Sequence, residues 1–430
     1  MYDIYPSNIC LMCEVSRIWL WLARYKLNIP YNMDISATLN CQNIIKKRIR
    51  DNKSVYNFGL GANPIKQPDF FINKIQQYAD RKEYTSSEGI PELNDTLLDI
   101  YSEHNFANKI LVGNGLKELI FIVQSAFEGK IFHITPSWIS YKEQVVLLHK
   151  LDSLIEIKTT IENGYRIDLN ILEQKLRDHK HEDKLIIFNN PNNPTGLIYT
   201  NEEIENISKL LKKYNCIVLA DEIYMNLVHD ERVTSISEHI PELTIIGSSI
   251  SKDLGCGGYR LGWLIFPKEQ LPLFNKCNSY CSSMYSCASV PIQYATHEML
   301  KNKTLFNKHC TSSITVYKHI SNEICNILQH SDIRFIPPNS SWYIFLDFYN
   351  YRHKLRNKGV HTSRDLSKLL IDEIGVISVP GESFNIDGLH LRFSLIDFEV
   401  TDIHNVHVED INLTKMKEGI HKLLTLLESI

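Results

Sequence analysis

Six side chains carry the chemistry this sequence can do: Lys252, Asp221, Tyr224, Asn193, Arg260 and Arg392. Lys252 stands in "SSISKDLGCGGYRLGW" (Ser248–Trp263), with Arg260 eight residues on. Asp221 ends the apolar run of "VLADEIY" (Val218–Tyr224), and Tyr224 follows three residues later. Asn193 lies between Pro191 and Pro194 in "NNPNNPTG" (189–196), directly after the apolar run "KLIIF" (184–188). A lysine amine can act as nucleophile and base, a buried carboxylate can hold a cation, and a guanidinium can bind an anion. Singly, each residue has an ordinary explanation. An Asp after a strand caps a helix, a Lys among serines is solvated, and an Arg near glycines makes a surface ion pair. Their order along the chain changes the reading.

Asn-Pro pairs start turns, but one pair is enough for a turn. Two prolines each fix φ near −65° and remove a donor. That stiffness holds Asn193 in one direction, as a polar group presented to a ligand would be. Arg392, in "LHLRFS" (389–394), sits mid-strand among apolar neighbours, where an Arg is rare without a partner.

The elements that must position these groups alternate. From about residue 110, strands ("KILVGN", "KIFHITP", "KLIIFNN", "CIVLADEIY", "LTIIGSSIS", "YRLGWLIFP") interleave with helical patterns such as "GLKELIFIVQSAFE" and "NEEIENISKLLKKYN". Continuous apolar strands separated by helices predict a mostly parallel sheet covered on both faces. Ligands of such sheets bind at the carboxyl ends of strands. "NNPNNPTG" lies at one such end. Two long helical patterns (about 285–302 and 304–330) precede "IRFIPPNSSWYIFLDF" and "LHLRFSLI", which reads as a smaller α+β domain.

Taken together, these segments resemble the fold-type I, class I/II aminotransferases, which use pyridoxal 5′-phosphate (PLP). Further matching stretches are "YTSSEGIPELNDTLLDIY" (84–101), "VGNGLKEL" (112–119), "TPSWISY" (135–141) and "VPGESF" (379–384). The resemblance covers about residues 35–430. It implies an α/β fold, with a large PLP-binding domain over 63–311. A small domain would take 33–62 and 312–430, with 1–32 an extension of unknown role. It implies that Lys252 holds PLP as a Schiff base and carries the proton between Cα and C4′. Asp221 then stabilises the protonated pyridine nitrogen, and Asn193 and Tyr224 bind the ring's 3′-oxygen.

The same resemblance assigns Ser249, Arg260 and the turn Asn114-Gly115-Leu116 to the phosphate, where a helix start offers free N–H groups and a positive dipole end. Trp138 is expected against the pyridine face. Arg392 is expected to bind the substrate α-carboxylate with two parallel hydrogen bonds, and Gly61, in "GLGANP", to line the substrate together with Asn193. Tyr84 and the stretch 282–289 match segments that reach the partner's cofactor in relatives, so a homodimer is expected. Thr135-Pro136 and Asn193-Pro194 are expected to be cis. "GNG" (113–115) also opens a dinucleotide motif, but Glu118 stands where its third glycine belongs.

The chain departs from the family at Ser340-Ser341, where Gly-Ala or Gly-Gly is common. It also lacks an Arg in 278–290, where relatives specific for dicarboxylates often keep one. Both departures put an aspartate-type substrate in doubt. The expected function is amino-group transfer between an amino acid and a 2-oxo acid. The alternative is another PLP reaction on the same scaffold, as C–S lyase, cyclase, decarboxylase or oxidase. A cofactor-sensing regulator would need a DNA-binding domain that 32 residues cannot hold, and a dead scaffold would not retain all the reactive groups.

The totals agree. The chain has 430 residues, 43% apolar and 22% charged, with a formal net charge of −4. No long basic run appears, so nucleic acid is not an expected partner. The ten cysteines are scattered, and Cys10-x-x-Cys13 lacks zinc spacing, which fits reduced thiols in the cytoplasm and no metal. The apolar stretch Ile9–Leu27 is interrupted by Glu14, Arg17 and Arg24, too short between charges to span a membrane. It reads as an amphipathic helix or as sequence ahead of a start at Met33.

Overall fold

The computed structural model describes residues 37–101, 108–230, 233–400, 403 and 407–430. The readings of Cys10, Cys13 and the stretch 9–27 lie outside these residues, as does the whole 1–36 region.

Twelve strands are described: β1 (Tyr56–Asn57), β2 (Asn108–Gly113), β3 (Lys130–Thr135), β4 (Leu154–Lys158), β5 (Lys184–Asn189), β6 (Cys216–Asp221), β7 (Thr244–Ser249), β8 (Gly262–Pro267), β9 (Tyr343–Asp347), β10 (Val376–Ile377), β11 (Val379–Pro380) and β12 (His390–Ser394). Seven of them form one sheet in the order β2-β8-β7-β6-β5-β3-β4. All neighbours in it are parallel except the two pairs made by β8. The expected mostly parallel sheet is therefore present, with β8 reversed because "YRLGWLIFP" returns directly from β7 without a full helical crossover.

Why these runs form strands is visible in their burial. Every residue of β5, β6 except Ile217, and β7 is buried. Alternate side chains point to opposite faces. Leu185, Ile187, Leu219 and Ile245 pack under the helix Leu116–Ala126, while Ile186, Phe188, Val218 and Ala220 pack under the helix Asn201–Lys213. Both faces are apolar, so the strands read as continuous apolar runs. The helix Asn201–Lys213 begins with a reciprocal cap. The Glu203 N–H donates to Thr200 Oγ1 (3.2 Å) and the Thr200 N–H to Glu203 Oε2 (2.7 Å). Its buried Ile204, Ile207 and Leu211 follow helical spacing, each worth roughly 1.5–3 kcal/mol of burial.

A three-stranded antiparallel sheet, β11-β12-β9, and the parallel pair β1-β10 form the second layer of strands. Phe58 ties them together: its N–H donates to Ile377 O (2.8 Å) and its carbonyl accepts from Ser394 N–H (2.8 Å). The 26-residue helix Lys303–Leu328 packs alongside. Among the described residues no helix is long and apolar enough to cross a membrane.

Candidate active site

β5, β6 and β7 are neighbours, and their carboxyl ends lie in register: Asn189 pairs with Asp221, and Asp221 with Gly247. That register brings the three sequence segments to one place. The Asn189 amide donates to Asp221 O (2.9 Å), and Asn189 Oδ1 accepts from the Asn193 N–H (2.8 Å). The Gly196 N–H closes the following turn onto Asn192 O (2.9 Å). Asn193 is thus fixed by its backbone as well as by its prolines.

The cis expectation holds at Thr135-Pro136 and fails at Asn193-Pro194; the second cis bond is Asn190-Pro191. The turn closed by Asn192 and Gly196 holds Pro194 in the trans form that a helical turn requires. The reversal out of β5 occurs one Asn-Pro pair earlier.

Asp221 is 4% exposed. Its Oδ2 accepts from the Tyr141 hydroxyl (2.5 Å) and its Oδ1 from the Ile223 N–H (3.3 Å). Burial pushes the carboxyl up to about 6, against the downward pull of the Tyr141 hydroxyl, the Ile223 N–H and Lys252. It therefore remains an anion at neutral pH, in a place where a cation would be held strongly.

Lys252 follows on a single helical turn, Ile250–Asp253, capped by Ser249, whose Oγ accepts from the Ser251 N–H (3.2 Å). Its main chain is anchored from outside the sheet. The Asn63 amide donates to Lys252 O (2.9 Å), and Asn63 Oδ1 accepts from the Tyr317 hydroxyl (2.6 Å). The Lys252 amine donates to Gly61 O (2.5 Å) and lies 5.6 Å from the Tyr224 ring centre and 5.5 Å from that of Trp342. Gly61 has no room for a side chain, because a Cβ would meet the Tyr343 hydroxyl.

The Tyr224 and Tyr343 hydroxyls are 2.9 Å apart. Burial, and then Tyr343, hold the Tyr224 phenol well above the ordinary tyrosine value. Burial alone would raise Tyr343 too, yet the Lys252 and Arg392 charges outweigh it and bring that phenol below the ordinary value.

Arg392 is 1% exposed. Its Nη1 donates to Asn193 Oδ1 (3.1 Å) and its Nη2 to Gly59 O (2.8 Å), while Nε has no partner. The rings of Tyr343 (4.6 Å) and Phe384 (5.2 Å) cover its faces. No carboxylate among the described residues pairs with it. A buried guanidinium without a counter-ion is a site for a ligand anion.

The phosphate candidates also assemble. Gly115, at φ +93°, caps the helix Leu116–Ala126, and a Cβ there would collide with the Arg260 guanidinium. Arg260 donates from Nη1 to Gly257 O (2.8 Å) and from Nη2 to Asn114 O (2.7 Å), and no described carboxylate pairs with it. Trp138 caps the helix Ile139–Leu147 and packs edge-on against Tyr141, 5.5 Å between centres. Tyr84 stands apart, 89% exposed.

Three contributors were not read from the sequence. Tyr141 lies in the quoted "TPSWISY", yet only Trp138 was singled out there. Tyr343 and Asn63 lie in stretches whose neighbours, Ser340-Ser341 and Gly61, drew the attention. These residues act by holding other site residues.

The class I and II aminotransferase profile matches residues 53–403. The aspartate aminotransferase of Sulfolobus acidocaldarius is 27% identical over 86% of this chain and 91% of its own length. A probable aspartate/prephenate aminotransferase of Aquifex aeolicus is 25% identical over 87% and 92%. Among solved structures, an aspartate aminotransferase from Thermus thermophilus with maleate superposes with a TM-score of 0.78 at 20% identity, covering 91% of this chain and 97% of that one. That of Thermotoga maritima gives 0.77 at 22% identity, covering 93% and 99%. At these identities the structures speak for the fold alone, and the fold is the same.

Proposed function

The chain belongs to the class I and II aminotransferases, and from that premise we propose how its own residues perform amino-group transfer with PLP. The observation that carries the reading is the pairing, in one site, of the Lys252 amine with a buried, counter-ion-free Arg392. The donor set fits PLP: an amine for its aldehyde, Asp221 for its ring nitrogen, and Arg260 with the Gly115–Leu116 helix start and Ser249 for its phosphate. When bound, PLP supplies an aldehyde that captures amines and a protonated ring that withdraws electrons from Cα.

Lys252 would hold that aldehyde through its amine and would carry the proton at the substrate Cα. Asp221, kept anionic by Tyr141 and the Ile223 N–H, holds the positive charge on the ring. Tyr224, with Tyr343 behind it, would donate to the ring's 3′-oxygen, and Asn193 would serve both that oxygen and the substrate. Trp138 would pack on the ring face. Arg392 would take the α-carboxylate common to amino and oxo acids, and Gly61, packed against the Tyr343 hydroxyl, would line the substrate. The relatives' names point to aspartate or a similar acid as one substrate. The missing Arg in 278–290 points away from a second guanidinium as the reader of its side chain. The assignment extends to a large domain over 63–311, a small one over 33–62 and 312–430, a homodimer and a cytoplasmic location.

Lys252→Ala tests the core of this reading. The variant is expected to lose the near-visible absorbance of lysine-bound PLP and nearly all turnover. Borohydride reduction of the loaded wild type, followed by peptide mapping, should place the label on Lys252. A label on another lysine would refute the assignment.

A further inference from the structure

Tyr343 opens β9, and the stretch just before it is bonded on two sides. The Asn339 N–H and the Ser340 hydroxyl both donate to Gly196 O (3.2 and 2.8 Å), and Asn339 Oδ1 accepts from the Ile198 N–H (3.1 Å). The Ser341 N–H donates to Leu227 O (2.7 Å), and Asn339 O accepts from the His229 N–H (2.9 Å). One short segment is thus tied to the turn that carries Asn193 and to the turn that follows Tyr224. The Tyr343 side chain then meets three groups of the site. Its hydroxyl is 2.9 Å from that of Tyr224, its ring covers the Arg392 guanidinium at 4.6 Å, and Gly61 lies against its hydroxyl. Tyr224 and Tyr343 are 2% and 1% exposed, so bulk water does not compete for their protons.

A hydroxyl carries one proton and two lone pairs. If Tyr224 gives its proton to the 3′-oxygen of PLP, it has none left for Tyr343, and the 2.9 Å contact is then a bond that Tyr343 donates. The charges agree with that direction. The Lys252 and Arg392 cations outweigh the burial of Tyr343 and make it the more acidic phenol, whereas burial and then Tyr343 hold Tyr224 high. The more acidic phenol is the better donor, and the less acidic one the better acceptor. A competing acceptor, Gly61 O, is 3.5 Å from the Tyr343 hydroxyl, at the edge of bonding distance, and takes the Lys252 amine at 2.5 Å.

We propose that Tyr343 is a positioning residue for amino-group transfer: its hydroxyl donates to Tyr224, so that the Tyr224 proton points to the 3′-oxygen of PLP and bonds it more strongly. The inference rests on the roles given above to Lys252 and Tyr224. Hydrogen bonds in a chain polarise one another, by about 10–30% per bond. A stronger donor draws negative charge off the 3′-oxygen, and the lysine nitrogen beside that oxygen then holds its proton less firmly. Tyr343 therefore acts on the Lys252 nitrogen through Tyr224, and helps to set the pH at which the lysine-bound cofactor loses its proton.

The test is the near-visible absorbance of the PLP-loaded full chain, titrated against pH. Tyr343→Phe keeps the ring on Arg392 and removes the donated proton. The midpoint should rise by about 0.3 pH unit, roughly twofold in the proton equilibrium. Tyr343→3-fluorotyrosine makes the phenol more acidic and should move the midpoint down; it decides the matter if Tyr343→Phe fails to fold. Tyr224→Phe should raise the midpoint further, and adding Tyr343→Phe to it should change nothing more, because the effect runs through the Tyr224 hydroxyl. A packing role would give the same shift in both backgrounds, or shifts of one sign for phenylalanine and fluorotyrosine. Either pattern, or an unmoved midpoint in Tyr343→Phe, would overturn the proposal and leave the Lys252 assignment standing. A borohydride label on another lysine would overturn both.

Discussion

The Arg392 guanidinium donates to the Asn193 side chain across 3.1 Å, joining β12 to the turn that follows β5. The two residues lie 199 positions apart, and both are buried. Asn193 accepts one arm of the fork, the Gly59 carbonyl accepts the other, and Nε is left over. A fork held this way is already oriented for a carboxylate, so little freedom is lost on binding. Arg392→Lys keeps the charge and loses the fork. Amino-acid binding should weaken about tenfold to a hundredfold, the loss of one charge-assisted hydrogen bond, while PLP is retained. The check is a pair of titrations, one of PLP absorbance and one of substrate. If PLP occupancy falls and substrate affinity stays, Arg392 belongs to the phosphate.

Tyr141 is the second position with a defined expectation. Its hydroxyl donates to Asp221 Oδ2 and is the largest of the influences that hold the carboxyl down against burial. Tyr141→Phe removes that donor, so the Asp221 carboxyl should rise further above about 6. Turnover needs the anion. The acidic limb of the kcat/KM profile should therefore move to higher pH, with the plateau at alkaline pH changed less. A profile displaced downward at every pH alike would mean that Tyr141 serves packing only.

Much of this site was legible in the sequence because buried parallel strands write themselves as apolar runs. The residue at the end of such a run is then at the site. Asp221 and the turn around Asn193 were located that way, whereas Ser249 and the helix start at Gly115 came from the resemblance to the family. Tyr141 and Tyr343 were not, since their roles depend on partners 80 and 119 residues away, Asp221 and Tyr224. No local pattern encodes that distance. The cis bond shows the same limit at short range. Asn190-Pro191 and Asn193-Pro194 are identical as dipeptides, and only the turn closed by Asn192 and Gly196 distinguishes them.

Glu222 makes stability depend on pH. It is 5% exposed, accepts from the Ser235 hydroxyl, and is pushed by burial from 4.5 up to about 8. Between those values the unfolded chain has released this proton and the native chain keeps it. The native state then binds more protons, so this group's contribution falls as pH rises from about 4.5 to about 8 and does not recover above. Glu222→Gln removes the ionisation. Without PLP, its melting temperature should exceed that of the wild type near pH 9 and differ little near pH 4. Thermal denaturation across that range measures it. The same offset at both ends would show that packing, not the charge, separates the two proteins.

Tyr84 bears on the assembly. Its ring is 89% exposed, and Tyr280 and Met284, on the helix Leu271–Met284, are exposed as well. That helix runs into the stretch 282–289, the second segment proposed to cross to a partner. If two copies bring these surfaces together, Tyr84 reaches the other copy's phosphate site, where Arg260 waits with carbonyl partners only. Each chain alone then has an incomplete phosphate site. PLP affinity should fall when the protein is diluted below its dimer dissociation constant, because whatever binds the dimer better also favours it by mass action. Tyr84→Phe separates the ring from its hydroxyl: the dimer should persist while PLP binds several-fold more weakly, about the worth of one hydrogen bond. Sedimentation at falling concentration, read in parallel with PLP absorbance, follows both quantities in one sample. A monomer that keeps PLP and turns over would remove Tyr84 from the site.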